Sequence, residues 1–227
     1  GEEKCYLIGC LAAKIAKSIE RTTKFQFLKM TMTTNFDEET HKYTIDGIEY
    51  PRVTEICEPI SFKRLDALSK SLLDRAKQRG TEVHELCENY ALTGEVDDEM
   101  QESPYLPYIA SFVEWYKTYR PKVIYTEKAL FSAKLGYCGK CDLVCEIDGK
   151  IFLIDYKATS VIDKKSLSVQ LVGYKNLLAE YGINTECEYV LHLKKDGYVF
   201  KPIKLDYEWF DILLKHNKKL KEKYNGK

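Results

Sequence analysis

Residues 137–158 constrain the fold more than any other stretch. They read Tyr-Cys-Gly-Lys-Cys-Asp142-Leu-Val-Cys-Glu-Ile-Asp148-Gly149-Lys-Ile-Phe-Leu-Ile-Asp155-Tyr-Lys157-Ala, two apolar-rich β segments around an Asp-Gly pair. Asp-Gly between such runs is the strongest short-range hairpin signal and favours a two-residue type I′ loop. With Asp148 and Gly149 as the loop, cross-strand partners have numbers summing to 297, which sets Asp142 opposite Asp155. Like charges placed so are destabilising. Lys157, two residues beyond Asp155, shares its face. A cation resolves the repulsion, and two hard carboxylates suit Mg²⁺ or Mn²⁺.

Strand 151–156 is apolar on both faces apart from Asp155, which predicts a central place in the sheet. Around it the patterning predicts strands at 123–132, 186–194 and 198–204, a helix at 163–181 and a closing helix at 206–223. Upstream, helices are expected at 64–79 ending at Gly80, at 81–93 ending at Gly94, and at 104–119 ending before Pro121. The acidic stretch 95–102 reads as a solvated loop. Residues 42–50 form a small hairpin around Asp46-Gly47, and 51–60 a connector with a short helix from Thr54. Residues 1–40 comprise an amphipathic helix and linker, 41–120 the hairpin and a helical arch, and 121–227 the core, packed as one domain. The apolar run at 5–16 is bracketed by Lys4, Lys14 and Lys17 and is too short to span a bilayer. Met30 and Met32 are candidate natural starts.

Lys+Arg and Asp+Glu are both 35, so net charge points to no polyanion, but the charge is uneven. Residues 61–80 carry six basic and two acidic side chains, and 190–227 ten lysines against five acids. Residues 80–105 hold eight acids and no Lys or Arg. Local basic faces bind nucleic acid on a neutral protein, and they also occur as merely solvated surface. Eight cysteines without a secretory signal point to reduced thiols in a cytoplasmic setting.

Four motifs occur in order: Arg79-Gly80-Thr81-Glu-Val-His84, the Gly-x-x-Asp of Gly139 to Asp142, the Asp-x-Lys of Asp155 to Lys157, and the Gln-x-x-x-Tyr of Gln170 to Tyr174. Together they resemble the PD-(D/E)XK nuclease superfamily, in particular its RecB-like branch of phage-type exonucleases, over about residues 40–205. The resemblance implies an α/β fold: a restriction-endonuclease-like core, its mixed β-sheet flanked by helices, with an N-terminal helical extension. It implies divalent-metal hydrolysis of DNA phosphodiesters, in a bacterial or phage-encoded protein that works in recombination or repair with a partner protein.

By the same resemblance Asp142, Asp155 and the backbone carbonyl of Tyr156 ligate the metal, and Lys157 orients or activates water. His84 reaches the metal from an upstream helix, and its imidazole suits Mn²⁺ better than Mg²⁺. Gln170 and Tyr174, at i and i+4 on one helix face, orient the site and contact substrate. Glu127 is either a further metal ligand or an edge-strand glutamate. Lys63, Arg64, Arg75, Lys77 and Arg79 are the candidates for tracking DNA phosphates.

Only Cys187 follows the Gln/Tyr helix, so the iron–sulfur pattern of some relatives is missing. Cys138-x-x-Cys141 lacks a matching pair for zinc, and buried free thiols are expected. The leading reading is a Mg²⁺- or Mn²⁺-dependent exonuclease. The alternatives are a structure-specific endonuclease and a catalytically silent DNA-binding or scaffold member of the fold.

Overall fold

The computed structural model describes residues 34–37, 42–45, 47–61 and 70–225. The chain divides into two compact units at Tyr50/Pro51. In the first, β1 (Thr34–Asp37), β2 (Lys42–Ile45) and β3 (Ile48–Tyr50) form an antiparallel sheet. Ile45 pairs with Ile48 across the expected two-residue turn, where Gly47 takes a φ of 78°. The predicted N-terminal helix, Met30, Met32, Lys63 and Arg64 lie outside the described residues.

The second unit contains a five-stranded sheet of β4 (Lys122–Ser132), β5 (Tyr137–Ile147), β6 (Lys150–Lys157), β7 (Cys187–Lys194) and β8 (Gly197–Pro202). These strands lie side by side in chain order, so β6 is central. The neighbours are antiparallel except β6 and β7, which run parallel across the helix that joins them. This is an α/β fold, a mixed sheet flanked by helices, consistent with a restriction-endonuclease-like core. Among the described residues no helix is long and apolar enough to cross a membrane.

Helices cover both faces of the sheet. On one face α1 (Val53–Cys57), α5 (Lys164–Glu180) and α6 (Tyr207–Asn225) pack on Tyr137, Val144, Leu153 and Val190. On the other, α2 (Lys70–Thr93), α3 (Asp98–Glu102) and α4 (Leu106–Tyr119) bring Val83, Leu86, Met100, Phe112 and Trp115 onto Leu143, Ile154 and Tyr156. From Val83 onward, α2 is therefore a packed layer against the sheet.

Two local expectations are corrected. The helices predicted at 64–79 and 81–93 are one continuous helix from Lys70. A glycine inside a helix costs only about 1 kcal/mol, and tertiary packing of Val83, Leu86 and Cys87 outweighs that at Gly80. The stop comes at Gly94, whose φ of 74° lets its N–H close on the Tyr90 carbonyl at 2.8 Å. The acidic stretch is not wholly loop either. Asp97 caps α3 by accepting from the Met100 N–H at 2.9 Å, and the buried Met100 anchors the turn in the core.

Candidate metal centre

The β5–β6 hairpin has the predicted register: Ile147 pairs with Lys150 and Leu143 with Ile154. Asp148 and Gly149 both take positive φ, 50° and 76°, as a type I′ turn requires. The ladder then stops one pair short of the two acids. The direct Asp142–Asp155 strand pair expected from the register is therefore not formed. In its place Asp142 Oδ2 accepts the Tyr156 N–H at 2.7 Å. A side-chain carboxylate substitutes for a backbone carbonyl, and β5 and β6 part where the acids would otherwise collide.

The neighbouring strand opens at the same level. Thr126 pairs with Leu143 and Lys128 with Cys141, but Glu127 between them is unpaired in the ladder. Its φ of 44° is unusual for a residue with a side chain. Such backbone costs of order 1–3 kcal/mol and persists only where its surroundings enforce it. This turn takes Glu127 out of the simple alternation with Tyr125, Ala129 and Phe131, and its side chain is only 6% exposed.

Into the opening reach side chains from helices on opposite faces of the sheet. From α2, His84 places Nδ1 3.3 Å from Glu127 Oε1 and 3.6 Å from Asp142 Oδ1, while its Nε2 lies 3.2 Å from the Tyr156 carbonyl. His84, Glu127 and Asp142 offer ligand atoms all within 4.8 Å of one another and could hold a metal ion. From α5, Gln170 donates to the Tyr174 hydroxyl at 3.0 Å and reaches Asp155 Oδ1 at 3.5 Å. Asp155 is only 2% exposed and is ion-paired with Lys157 through Oδ2. Asp155 thus stands beside the three-residue group rather than within it.

Gly139 has a steric reason to be glycine. A Cβ there would come within 2.7 Å of the Tyr174 ring. The Gly-x-x-Asp motif and the Gln-x-x-x-Tyr helix are therefore in direct contact, backbone against ring. Gly173 is equally confined, because a Cβ would meet Val53 and Phe210 at 2.8 Å.

The electrostatics are those of a site built around positive charge. Burial raises the Asp142 carboxyl to about 7; His84 and Lys157 oppose that rise, while Asp155 and Glu127 add to it. Burial pulls the His84 imidazole down, but Asp142 and Glu127 outweigh it and hold it at about 9. His84 is therefore an imidazolium at neutral pH, lying among the carboxylates as their internal counter-ion. Burial would also raise Glu127, yet hydrogen bonds from His84 and Lys140 leave it lowered. For Lys157, burial favours the neutral amine, but Asp155 and Asp142 prevail and keep it an ammonium.

Sequence reasoning assigned no role to Lys140 and Glu88. Lys140 is ion-paired with Glu127, and its place two residues before Asp142 on β5 was the available signal. Glu88, one turn after His84 on α2, has its carboxyl raised by burial and then by Glu127. Of the predicted basic residues, exposed Lys77 lies two turns before His84 on the same helix face, whereas exposed Arg75 lies on the opposite face. Arg79 is engaged with α4, its guanidinium 5.8 Å from the Tyr108 ring centre. Cys57, Cys141 and Cys145 are free buried thiols, each pushed up to about 12 by burial.

No family profile matches the chain. No curated protein matches it either. The crystal structure of SSO0001 is similar over 75% of this chain and 75% of its own, at 15% identity and a TM-score of 0.37. That score is too low to carry an argument.

Proposed function

We propose that this chain is a divalent-metal-dependent deoxyribonuclease that hydrolyses phosphodiester bonds at DNA ends. One observation carries the reading: two carboxylates, an imidazole and a strand carbonyl converge at a break in two β ladders, next to the ion pair of buried Asp155 with half-buried Lys157. A structural salt bridge needs neither the ladder break nor the αL glutamate. Mg²⁺ or Mn²⁺ fits the oxygen-rich donor set, with the single imidazole favouring Mn²⁺.

Asp142, Glu127, His84 and the Tyr156 carbonyl are the residues that would hold the ion. When bound, it would polarise a phosphoryl oxygen and lower the pKa of water. Lys157, kept as an ammonium by its acidic neighbours, donates to the phosphoryl group and offsets the charge that develops on it. Asp155 positions Lys157 through their ion pair, and Gln170 holds Asp155 against rotation. Tyr174 fixes Gln170. Buried in the core with its ring against Gly139, it has no open surface for the substrate contact expected from the sequence, and its part is to position Gln170. In the overall step water forms a new P–O bond, the bond to the leaving sugar oxygen breaks, and that oxygen takes up a proton.

The test is cleavage of end-labelled single- and double-stranded DNA and of closed circles, with Mg²⁺ or Mn²⁺. Loss of label from ends is expected, abolished by Asp142→Asn or Lys157→Ala. Intact substrates under both metals would overturn the hydrolytic reading. Efficient nicking of closed circles would replace the exonuclease by an endonuclease.

A further inference from the structure

Beside the candidate centre the same face of the sheet continues into a groove of about 690 Å³. The strand register makes the continuity explicit. Asp155 is paired with Val190 on β7, which is paired with Lys201 on β8; Lys157 is paired with His192, which is paired with Val199. Paired residues share a sheet face, so Val190, His192, Val199 and Lys201 extend the surface that carries Asp155 and Lys157.

The far wall is the segment 160–162, immediately after β6, and the first turn of α5. His192 Nε2 lies 2.6 Å from the Thr159 carbonyl and ties that wall to β7. The floor is apolar, supplied by Val190, Val199 and Ile203, and Val161 adds an apolar surface to the wall. The rim is basic, with Lys164, Lys165, Lys194, Lys201 and Lys204 all exposed. Asp206 is the single carboxylate among the lining residues, and it is engaged in accepting the Trp209 N–H at 3.1 Å.

Five cations and one committed acid around an apolar floor complement a ligand with negative charge at its edges and flat apolar faces between. A single nucleic-acid strand has that character, with phosphates for the lysines and unpaired bases for the floor. A duplex presents phosphates only and leaves the floor uncovered. Lys194, Lys201 and Lys204 belong to the basic segment 190–227, which the residues around the metal do not use.

We propose that this groove binds single-stranded DNA and carries the strand away from the scissile phosphate, an assignment that rests on the nuclease reading for what happens at the centre itself. The lysine rim contacts the backbone, and the valine floor accepts the bases.

The experiment measures anisotropy of a fluorescent oligothymidylate bound to the full chain in EDTA, where no cleavage can occur, between about 50 and 200 mM KCl. The variant combines Lys194→Gln, Lys201→Gln and Lys204→Gln, all exposed positions, with an unchanged melting curve as the check on folding. Loss of three phosphate contacts is expected to weaken binding about tenfold or more and to reduce the slope of log K against log salt by about 2. A triple variant with the parent's affinity and slope overturns the groove. So does a duplex of equal length that binds more tightly than the single strand. Cleavage with Mg²⁺ or Mn²⁺ separates the two readings. A parent that binds through these lysines yet cuts nothing leaves the groove standing without the nuclease. A parent that cuts while the triple variant binds as before leaves the nuclease standing without the groove.

Discussion

The β5–β6 hairpin has two ends, and they obey opposite rules. At the turn end Ile147, Cys145, Phe152 and Leu153 pair in register and bury their side chains. The ladder there is regular up to the turn, and the type I′ turn matches the twist of the strands it joins. At the open end the ladder stops, Asp142 replaces a backbone acceptor, Glu127 adopts an αL backbone, and several carboxylates share little space with His84, Lys140 and Lys157. One end is built for stability and the other holds like charges together. His84, Lys140 and Lys157 offset that crowding from within, and a strained, charge-dense end of this kind is where a functional site is to be sought.

The largest effects should split the two ends cleanly. Asp142→Asn is expected to lower Mn²⁺ affinity, read by calorimetry, by about a hundredfold or more. The same variant should hold or raise the melting temperature of the metal-free protein, because the Asn oxygen still accepts the Tyr156 N–H while a crowded charge is gone. A drop of several degrees would mean that Asp142 serves the fold. Leu153→Ala should do the reverse, costing about 2–5 kcal/mol in denaturant unfolding with little change in metal affinity per folded molecule.

Gly139→Ala tests the contact between the strand motif and the helix motif. The added methyl must displace the Tyr174 ring, costing about 1–3 kcal/mol and dislodging Gln170 from Asp155. In the background of Tyr174→Ala the same substitution should cost much less. Equal costs in both backgrounds would show that the ring is not what excludes a side chain at Gly139.

A pH series sharpens the electrostatic half of the comparison. A metal needs neutral imidazole and ionised carboxylates, so bound protons compete with it. His84 keeps its proton up to about 9. Mn²⁺ affinity should therefore climb about tenfold per pH unit towards 9 and then level off. Below about 7 the Asp142 proton competes as well and the slope steepens. His84→Ala should take the imidazolium proton out of the competition and leave a climb set by Asp142 alone, whose carboxyl moves up once the cation that opposed its rise is gone. A flat profile in the parent would mean that His84 is not displaced as a cation when the metal enters.

The smallest effect belongs to the turn. Gly149 has a φ of 76° and open space around it, so Gly149→Ala meets conformational strain without a clash. A loss of about 1 kcal/mol is expected, with no change in metal affinity.

Much of this was legible in the chain because the governing physics is local. The Asp148-Gly149 turn sets the register of β5 and β6, the i to i+4 spacing puts Gln170 and Tyr174 on one face, and unbroken apolar character makes β6 central. The continuity of α2 through Gly80 was not legible, because Val83 and Leu86 pack against strands far along the chain and outweigh a local propensity. The role of Lys140 was hidden for a related reason: its partner, Glu127, lies on another strand.

By itself the sequence determined the strand order's central member, the hairpin register and the residue types available for a cation. Only the tertiary structure decided that the two aspartates do not face each other as a pair. Period-2 alternation assumes an unbroken pleat. Here the pleat gives way, because a helix on each face pushes polar side chains into the gap and the Tyr156 N–H finds a carboxylate closer than a carbonyl. Like charges too costly to pair across a ladder are instead set around an opening that a cation can fill.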